Sequence, residues 1–259
     1  MSRIIAIANQ KGGVGKTTTA INLCASLAAL EKRTLLVDLD PQSNATSGLG
    51  LDRKNIGTSV YDVLLDGVDI RLVVQPTEVP FLSLAPSSID LVGAEVLLSG
   101  AENREARLRE ALQGIREEYD FLIVDCPPSL GLLTLNGLVA ADEILIPIQC
   151  EYYALEGLGQ LLKTVELVRS KLNPALKIGG IALTMFDARL SLAKQVAEDI
   201  RQHFPDKVFE TVIPRNVRLA EAPSFGKPVL LYDITSSGAQ SYLKLAEEFL
   251  KRHLKGTNP

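Results

Sequence analysis

The sequence predicts an α/β protein: a single domain over 1–259 with a twisted, mostly parallel β-sheet flanked by helices on both faces. Strand-like and helix-like segments alternate along most of the chain, which is typical of a parallel sheet covered by helices. The strand-like segments are continuous apolar runs rather than alternating ones, and this indicates burial on both faces. Because 259 residues is close to the upper size for one hydrophobic core, one domain is expected.

The strands and helices follow one another in a simple order. A strand at 4–8 precedes a helix at 17–30, in which Ala20, Leu23 and Leu27 recur at helical spacing. Further strands are predicted at 34–40, 121–125, 143–147, 178–184 and 207–212. Further helices are predicted at 104–117, 130–140, 154–172, 191–203 and 237–254. The segment 52–100 is the least regular, with short pieces around 60–65, 72–74 and 81–85, and we expect it to form an excursion beside the main sheet.

Composition restricts the function and the compartment. The formal net charge of −4 excludes a protein coated in positive charge, so any contact with nucleic acid must come from a local patch. Cys24, Cys126 and Cys150 are odd in number, lack metal-ligand spacing and lie in apolar segments, which predicts buried thiols in a reducing compartment. No apolar run approaches transmembrane length and the chain starts with a strand, so we expect a cytoplasmic protein.

A glycine-rich loop follows the first strand. Gly12, Gly13 and Gly15 carry no Cβ and can adopt backbone angles closed to other residues, so consecutive N–H groups can turn inward around an oxyanion. The helix that follows adds its free N–H groups and its positive dipole end. Lys16 adds a charge for the outer phosphates, and the Thr17 hydroxyl can bind Mg²⁺. The loop is therefore predicted to bind the phosphates of a nucleotide.

Aspartates follow two of the other predicted strands. Asp38 and Asp40 close the second strand, and Asp125 closes the third. Ligands of open parallel sheets bind at the carboxyl ends of the strands, next to the helix N-termini. Since Asp38 and Asp40 are two apart on an extended strand, we expect both to face the nucleotide. A buried carboxylate here needs a counter-charge, which Mg²⁺ would supply. The alternative is that each aspartate only caps the next helix or turn.

Four motifs resemble those of the ParA/MinD family, in the family's order and over nearly the whole length. The common phosphate-loop pattern requires glycine where Gln10 stands, but the stretch from Lys11 to Thr18 is similar to the family's deviant Walker A motif, whose signature lysine matches Lys11. The segments 36–42, 121–129 and 213–223 resemble the second Walker A-type motif, the Walker B strand with its switch, and the adenine-side loop. The most similar members are the Soj-like chromosome-partition ATPases. The resemblance implies a P-loop NTPase of the SIMIBI, MinD-like class.

The resemblance also implies roles for individual residues. Asp40 would orient the attacking water, and Lys11 would reach the phosphates of a second copy in an ATP dimer. The implied catalytic residues are Lys11, Lys16 and Asp40, and the implied metal shell is Thr17, Asp38 and Asp125. The implied nucleotide-binding residues are Lys11, Gly12, Gly13, Val14, Gly15, Lys16, Thr17 and Thr18, together with Met185, Pro214 and Asn216 at the adenine.

The activity implied by the family is ATP hydrolysis with ATP/ADP and Mg²⁺. Members of the Soj-like group form ATP-dependent homodimers, bind double-stranded DNA without sequence preference and are stimulated by a ParB/Spo0J-like centromere-binding partner, which implies a nucleoid-associated protein in chromosome or plasmid segregation. Candidate DNA contacts are Arg189, Arg218, Lys227 and Lys244. That each of these is merely a solvated surface charge stays open.

Three other functions fit the sequence less well. A MinD-like membrane ATPase would share the nucleotide motifs, but the mixed acidic face of 243–254 fits a helix packed on the domain better than a membrane helix. A nitrogenase-reductase-like protein would need cysteines for a shared iron–sulfur cluster, and the three present are not so placed. A purely structural DNA-binding protein would have no use for Lys11 and Asp40.

Overall fold

The computed structural model describes residues 2–255 and shows one seven-stranded sheet. The strand order is β3–β4–β2–β5–β1–β6–β7, and all neighbours are parallel except β3 and β4. The strands are β1 (Arg3–Ile7), β2 (Thr34–Asp38), β3 (Gln75–Pro76), β4 (Leu82–Ala85), β5 (Phe121–Asp125), β6 (Glu143–Gln149) and β7 (Lys177–Thr184). The mostly parallel sheet that the sequence predicts is confirmed.

Eleven helices are described in residues 2–255. They are α1 (Lys16–Ala29), α2 (Asn44–Gly48), α3 (Val60–Asp66), α4 (Leu91–Leu97), α5 (Arg107–Gln113), α6 (Leu132–Ala140), α7 (Ala154–Lys171), α8 (Ser191–His203), α9 (Val217–Glu221), α10 (Val229–Tyr232) and α11 (Ser237–Lys255). Short 3₁₀ turns lie at Arg53–Asn55, Ile70–Leu72, Arg116–Glu118 and Ala222–Phe225. The predicted helix at 104–117 is shorter than expected because it stops before Gly114 and gives way to the turn at Arg116–Glu118.

Both faces of the sheet are buried. Along β1, Ile4 and Ala6 belong to one hydrophobic core and Ile5 and Ile7 to the other. Because successive side chains of a strand point to opposite faces, a continuous apolar strand needs a helical layer on each side. The sequence pattern therefore predicted the layers correctly. It also predicted the three cysteines correctly, since Cys24, Cys126 and Cys150 are all buried and unpaired.

The segment 52–100 contributes β3 and β4 to the sheet, so the expected excursion beside the sheet is wrong for these two stretches. β4 lies between β2 and β3 and pairs with β2 from Thr34–Leu82 to Val37–Ala85. Leu82 and Leu84 are buried in the core shared with α1. A strand of only four residues without a long apolar run gives little periodic signal in the sequence.

The predicted strand at 207–212 is also wrong within the described residues. That segment follows the edge of β7 through a single bridge, Ile181–Val208, and scattered backbone hydrogen bonds. The ring of Phe209 packs on Gly180, where an added Cβ would come within 2.3 Å of the ring. The β-branched and aromatic residues of this segment therefore serve burial against β7 rather than a further parallel strand.

The C-terminal helix α11 packs on the domain, as its sequence predicts. Tyr242, Leu245 and Phe249 are buried in the core that also contains α1. The apolar face of this helix is thus covered by the protein itself. Within residues 2–255, no helix combines the length and the apolar character needed to cross a bilayer.

Candidate functional site

The glycine-rich loop connects β1 to α1 at the carboxyl edge of the sheet. Gly13 and Gly15 have positive φ angles of 75° and 83°, in the left-handed region that favours glycine. Gly15 is the N-cap of α1, and its carbonyl accepts the backbone N–H of Thr19 at 2.8 Å. Gly12 has no positive φ, and a Cβ added there would meet nothing within 4 Å. The loop therefore has the backbone geometry of an oxyanion cradle at a helix N-terminus.

Two polar side chains that the sequence did not single out fix this loop. Asn9 accepts the backbone N–H of Lys11 at 3.0 Å and donates to the carbonyl of Pro147 at 2.8 Å. The Thr184 hydroxyl donates to the carbonyl of Val14 at 2.8 Å. Asn9 follows β1 and Thr184 ends β7, the strands on either side of β6, so the sheet itself positions the loop. Such contacts preorganise the phosphate-binding amides.

The two loop lysines lie in different environments. Lys16 is buried, and its ammonium donates to the Lys11 carbonyl at 3.0 Å. Burial lowers the pKa of Lys16, while Asp125 and Asp40 act in the opposite direction. The Lys11 side chain is 37% exposed and forms an ion pair with Glu151 at 2.8 Å. Lys16 is thus held at the loop, and Lys11 is presented at the surface.

Asp38 is buried, and both of its carboxylate oxygens accept hydrogen bonds from the protein. One oxygen accepts the Thr46 N–H at 2.8 Å and the Thr46 hydroxyl at 2.7 Å, and the other accepts the Asp40 N–H at 3.2 Å. Burial raises the pKa of Asp38 to about 6, which the Thr46 hydrogen bonds oppose. β2 ends at Asp38, so the expected extended strand through Asp40 is wrong. Asp38 positions α2 after the strand.

Asp40 lies beyond the end of β2 and is differently engaged. One oxygen accepts the backbone N–H of Gln42 at 2.9 Å, and the Asp40 carbonyl accepts the Ser87 hydroxyl at 2.6 Å. Among residues 2–255 its second carboxylate oxygen has no hydrogen-bond partner, yet it is not sealed from solvent. Asp40 therefore has one oxygen available for water, whereas Asp38 has none.

Asp125, at the end of β5, has both carboxylate oxygens buried without a hydrogen-bond partner in the described part of the chain. Burial raises its pKa well above the usual range, and the neighbouring Asp38 raises it further. An orphaned buried carboxylate next to a phosphate loop fits a hydrated divalent cation, whose preferred ligands are oxygens. The residues present therefore fit the predicted Mg²⁺. The Asp125 carboxylate and the Thr17 hydroxyl, which acts to lower the Asp125 pKa, are the oxygen groups that would hold it.

A cleft of about 200 Å³ opens beside Gly15. It contains all three predicted adenine residues, Met185, Pro214 and Asn216. The Asn216 amide already accepts the Arg218 N–H at 2.9 Å and donates to the Ser237 hydroxyl at 2.8 Å, so contact with a base would require exchange of the Ser237 bond. Sequence reasoning missed Thr184 and Tyr242 at this cleft, whereas Ile213 and Leu219 belong to the predicted adenine-side loop at 213–223.

The predicted DNA contacts carry local carboxylates. Arg189 is bidentate to Asp187 at 2.9 and 2.7 Å, and these bonds lower the pKa of Asp187 to about 2. Arg218 pairs with Glu221 at 2.8 Å and with Asp233 at 3.2 Å.

The four predicted DNA contacts lie in different surroundings. The bridge between Phe186 and Pro214 brings the loop before α8, which holds Arg189, beside the segment that leads into α9, the helix of Arg218. Lys227 lies 3.9 Å from Glu78, and Lys244 lines a separate cleft with Glu247 and Glu248. A shared DNA surface therefore stays a prediction.

Comparison with known proteins gives close relatives over the full domain. A family model described as an AAA domain matches residues 2–178. Chromosome partitioning protein ParA of Myxococcus xanthus is 60% identical over 252 residues, 97% of this chain and 89% of the relative. Chromosome-partitioning ATPase Soj of Thermus thermophilus is 56% identical over 250 residues, 96% of each.

A solved structure matches the whole fold. It is described as cobyrinic acid a,c-diamide synthase from Mycobacterium smegmatis with a bound ATP analogue and magnesium, and it is 39% identical with a TM-score of 0.86. The match covers 100% of this chain and 98% of that one. The partition proteins are clearly more similar in sequence. The chain therefore belongs to the ParA/MinD family of P-loop ATPases, and within it to the Soj-like chromosome-partitioning ATPases.

Proposed function

We propose that this chain is a partition ATPase that dimerises on binding Mg-ATP, binds DNA without sequence preference as the dimer, and hydrolyses ATP when a ParB-like partner stimulates it. The observation that supports this most directly is that the buried Lys16 ammonium at the glycine-rich loop lies within electrostatic reach of the orphaned Asp125 carboxylate at the end of β5. A purely structural domain would gain nothing from these two groups, because burying a charged side chain costs free energy. The decisive assay is steady-state ATP hydrolysis with and without DNA and the ParB-like protein.

The loop and Lys16 perform the binding step. The free N–H groups at the start of α1 and the loop amides surround the phosphates, and the Lys16 ammonium neutralises the outer ones. When bound, Mg²⁺ would be held near Thr17 and Asp125 and would offset the negative charge of the phosphates. Phosphoryl transfer requires mainly positioning and charge stabilisation from a protein, and a preorganised loop supplies both.

Asp40 is the residue best placed to orient water. Its bond to the Gln42 N–H fixes the carboxylate, and its second oxygen points to no protein partner in residues 2–255. A carboxylate held in this way can accept a hydrogen bond from the attacking water and align it. The hydrogen bonds that Asp38 makes to Thr46 hold the start of α2 next to this loop.

Lys11 is proposed to contact the phosphates of the partner protomer. Its ammonium pairs with Glu151 in the single chain, and both side chains are partly exposed, so the exchange of this surface pair for a triphosphate costs little. The glycines beside Lys11 permit two backbones to approach closely. This arrangement makes dimer formation depend on the nucleotide.

A valine at Gly12 is expected to block the dimer and to spare nucleotide binding. In the single protomer the position has an ordinary φ, and an added Cβ meets nothing of its own chain within 4 Å. Any loss must then come from the approach of a second copy. Light scattering with Mg-ATP is expected to give monomer mass for Gly12→Val. Gly100→Val, another open position, is the control and is expected to dimerise; a normal Gly12→Val dimer would contradict the proposal.

Reversing Arg189 to glutamate is expected to abolish DNA binding while ATP-driven dimerisation continues. The change places a second carboxylate beside Asp187 on an exposed loop, where phosphates would be repelled. Asp187→Asn is the companion variant, since it removes the bidentate partner of Arg189 and is expected to strengthen DNA binding. Retention on DNA at low salt measures both. If Arg189→Glu is retained like the parent protein, this residue is not a DNA contact.

The expected cellular location follows from this function. A protein that binds DNA non-specifically would be found in the cytoplasm on the nucleoid. Membrane targeting is the alternative, but the apolar face of α11 is buried against the domain, which leaves its mixed-charge face outward. Co-sedimentation with liposomes is expected to leave the protein in the supernatant.

A further inference from the structure

A second cleft, of about 400 Å³, lies on the other flank of the first turns of α1. It is bounded by α1, by α2 with the turn that follows it, and by the segment around Ala222–Phe225. We call it the Arg53 cleft. Arg53 and Lys227 are its two cations, and its polar lining also includes Thr17, Thr18, Asn22, Asn44, Ser47 and Ser224, so the cleft adjoins the predicted nucleotide residues Thr17 and Thr18. No aspartate or glutamate is among its described lining residues.

The charge of Arg53 is not neutralised by its contacts. Its guanidinium donates to the Asn44 side-chain oxygen at 3.1 Å and to the Ser47 hydroxyl, and both acceptors are neutral. Arg189 and Arg218 differ, because each is bound by a carboxylate at 2.8 Å or less. An arginine that pairs with a carboxylate must release it before it binds phosphate, whereas Arg53 needs no such exchange. Arg53 is therefore the better prepared phosphate ligand.

The walls of the cleft are held together through backbone contact. Gly50 and Gly226 have φ angles of 88° and 63°, and a Cβ added at Gly226 would lie 2.7 Å from the Gly50 Cα. Asn22 of α1 accepts the N–H of Val229 at 2.8 Å and so ties α1 to the chain beyond Lys227. The two cations consequently belong to segments that are packed closely against each other. A cleft fixed in this way loses little conformational freedom when a ligand enters.

We propose that the Arg53 cleft binds a phosphate oxyanion, supplied by a DNA backbone phosphodiester or by a free phosphate compound. With DNA as the source, the proposal rests on the proposed function and adds a contact that the sequence motifs do not indicate. Arg53 without a carboxylate partner in residues 2–255, Lys227 at 3.9 Å from Glu78, and the hydroxyl and amide donors of the lining form the chemistry that selects phosphate. The cleft is built partly on α2, whose Thr46 holds Asp38, so it lies next to the nucleotide edge of the sheet.

The test compares Arg53→Gln with Lys54→Gln. Lys54 is the exposed neighbour outside the described lining, so both variants lose one positive charge but only one alters the cleft. Fluorescence polarisation measures binding of a short labelled duplex with Mg²⁺ and a slowly hydrolysed ATP analogue, over a series of salt concentrations. For Arg53→Gln we expect affinity to fall about tenfold and the salt slope to fall by about one. Lys54→Gln should stay within about twofold of the parent protein.

A second arm identifies the source of the phosphate. The shift in melting temperature caused by inorganic phosphate is measured with the ATP analogue already bound, so the glycine-rich loop is filled. If the parent protein binds no DNA, the proposed function fails, and the Arg53 cleft is then supported only by a phosphate shift that Arg53→Gln loses. Three outcomes would each overturn the proposal. The first is an equal loss of DNA affinity in Arg53→Gln and Lys54→Gln, and the second is no loss of DNA affinity or of the phosphate shift in Arg53→Gln. The third is a loss of affinity for the ATP analogue in place of DNA.

Discussion

Replacing Lys16 with alanine is expected to abolish useful ATP binding. The ammonium is buried at the loop, where it has a carbonyl partner and no competing water shell. A charge-assisted hydrogen bond to phosphate contributes roughly 2–3 kcal/mol, so affinity is expected to fall about 30- to 150-fold. Titration with a fluorescent ATP analogue measures this loss directly. Hydrolysis should vanish with it, because the site no longer fills.

Two further variants separate binding from folding. Lys16→Met removes the charge but keeps most of the apolar stem, and it should lose ATP like the alanine variant while melting closer to the parent protein. Lys163→Met changes an exposed lysine on α7 and should bind ATP normally. An affinity for Lys16→Met within a factor of two of the Lys163→Met control would show that Lys16 does not contact the phosphates.

The sequence predicted the parts of the site that are local in the chain. The glycines, Lys16 and Thr17 form a continuous stretch, and Asp125 directly follows an apolar run, so each is visible without knowledge of the fold. Asn9 and Thr184 were missed because their meaning depends on partners 138 and 170 residues away. Nothing in the composition around either residue indicates such a contact. Only the parallel order of β1, β6 and β7 brings them to the loop.

The different roles of Asp38 and Asp40 illustrate a second limit. Because residues two apart on a strand point to the same face, the sequence predicts that both aspartates face the nucleotide, which holds only as long as the strand continues. β2 stops at Asp38 because the next residues turn into α2, and the backbone N–H of Asp40 folds back onto the Asp38 carboxylate. The turn therefore gives one aspartate a structural task and the other a free oxygen. The sequence alone does not locate the end of a buried strand to within two residues.

Asp40→Ala is expected to bind ATP, to dimerise and to fail in hydrolysis. The carboxylate is not needed to hold phosphate, since the loop amides and Lys16 do that, but the water loses its orienting group. Loss of a positioned general base or water-orienting group slows turnover by about 10²- to 10⁴-fold. Phosphate release should therefore stop while light scattering with Mg-ATP shows a persistent dimer. Normal turnover would remove Asp40 from this role.

Asp40→Asn decides whether the loss is chemical or structural. Asparagine can still accept the Gln42 N–H through its side-chain oxygen, so the turn after β2 is retained, but it presents an amide in place of the carboxylate. If Asp40 acts on water, the asparagine variant should hydrolyse ATP as slowly as the alanine variant although its fold is unperturbed. If Asp40 only shapes the turn, asparagine should restore turnover to nearly the parent rate. Equal dimer stability of the two variants, measured in the same experiment, would assign the defect to the water and not to the interface.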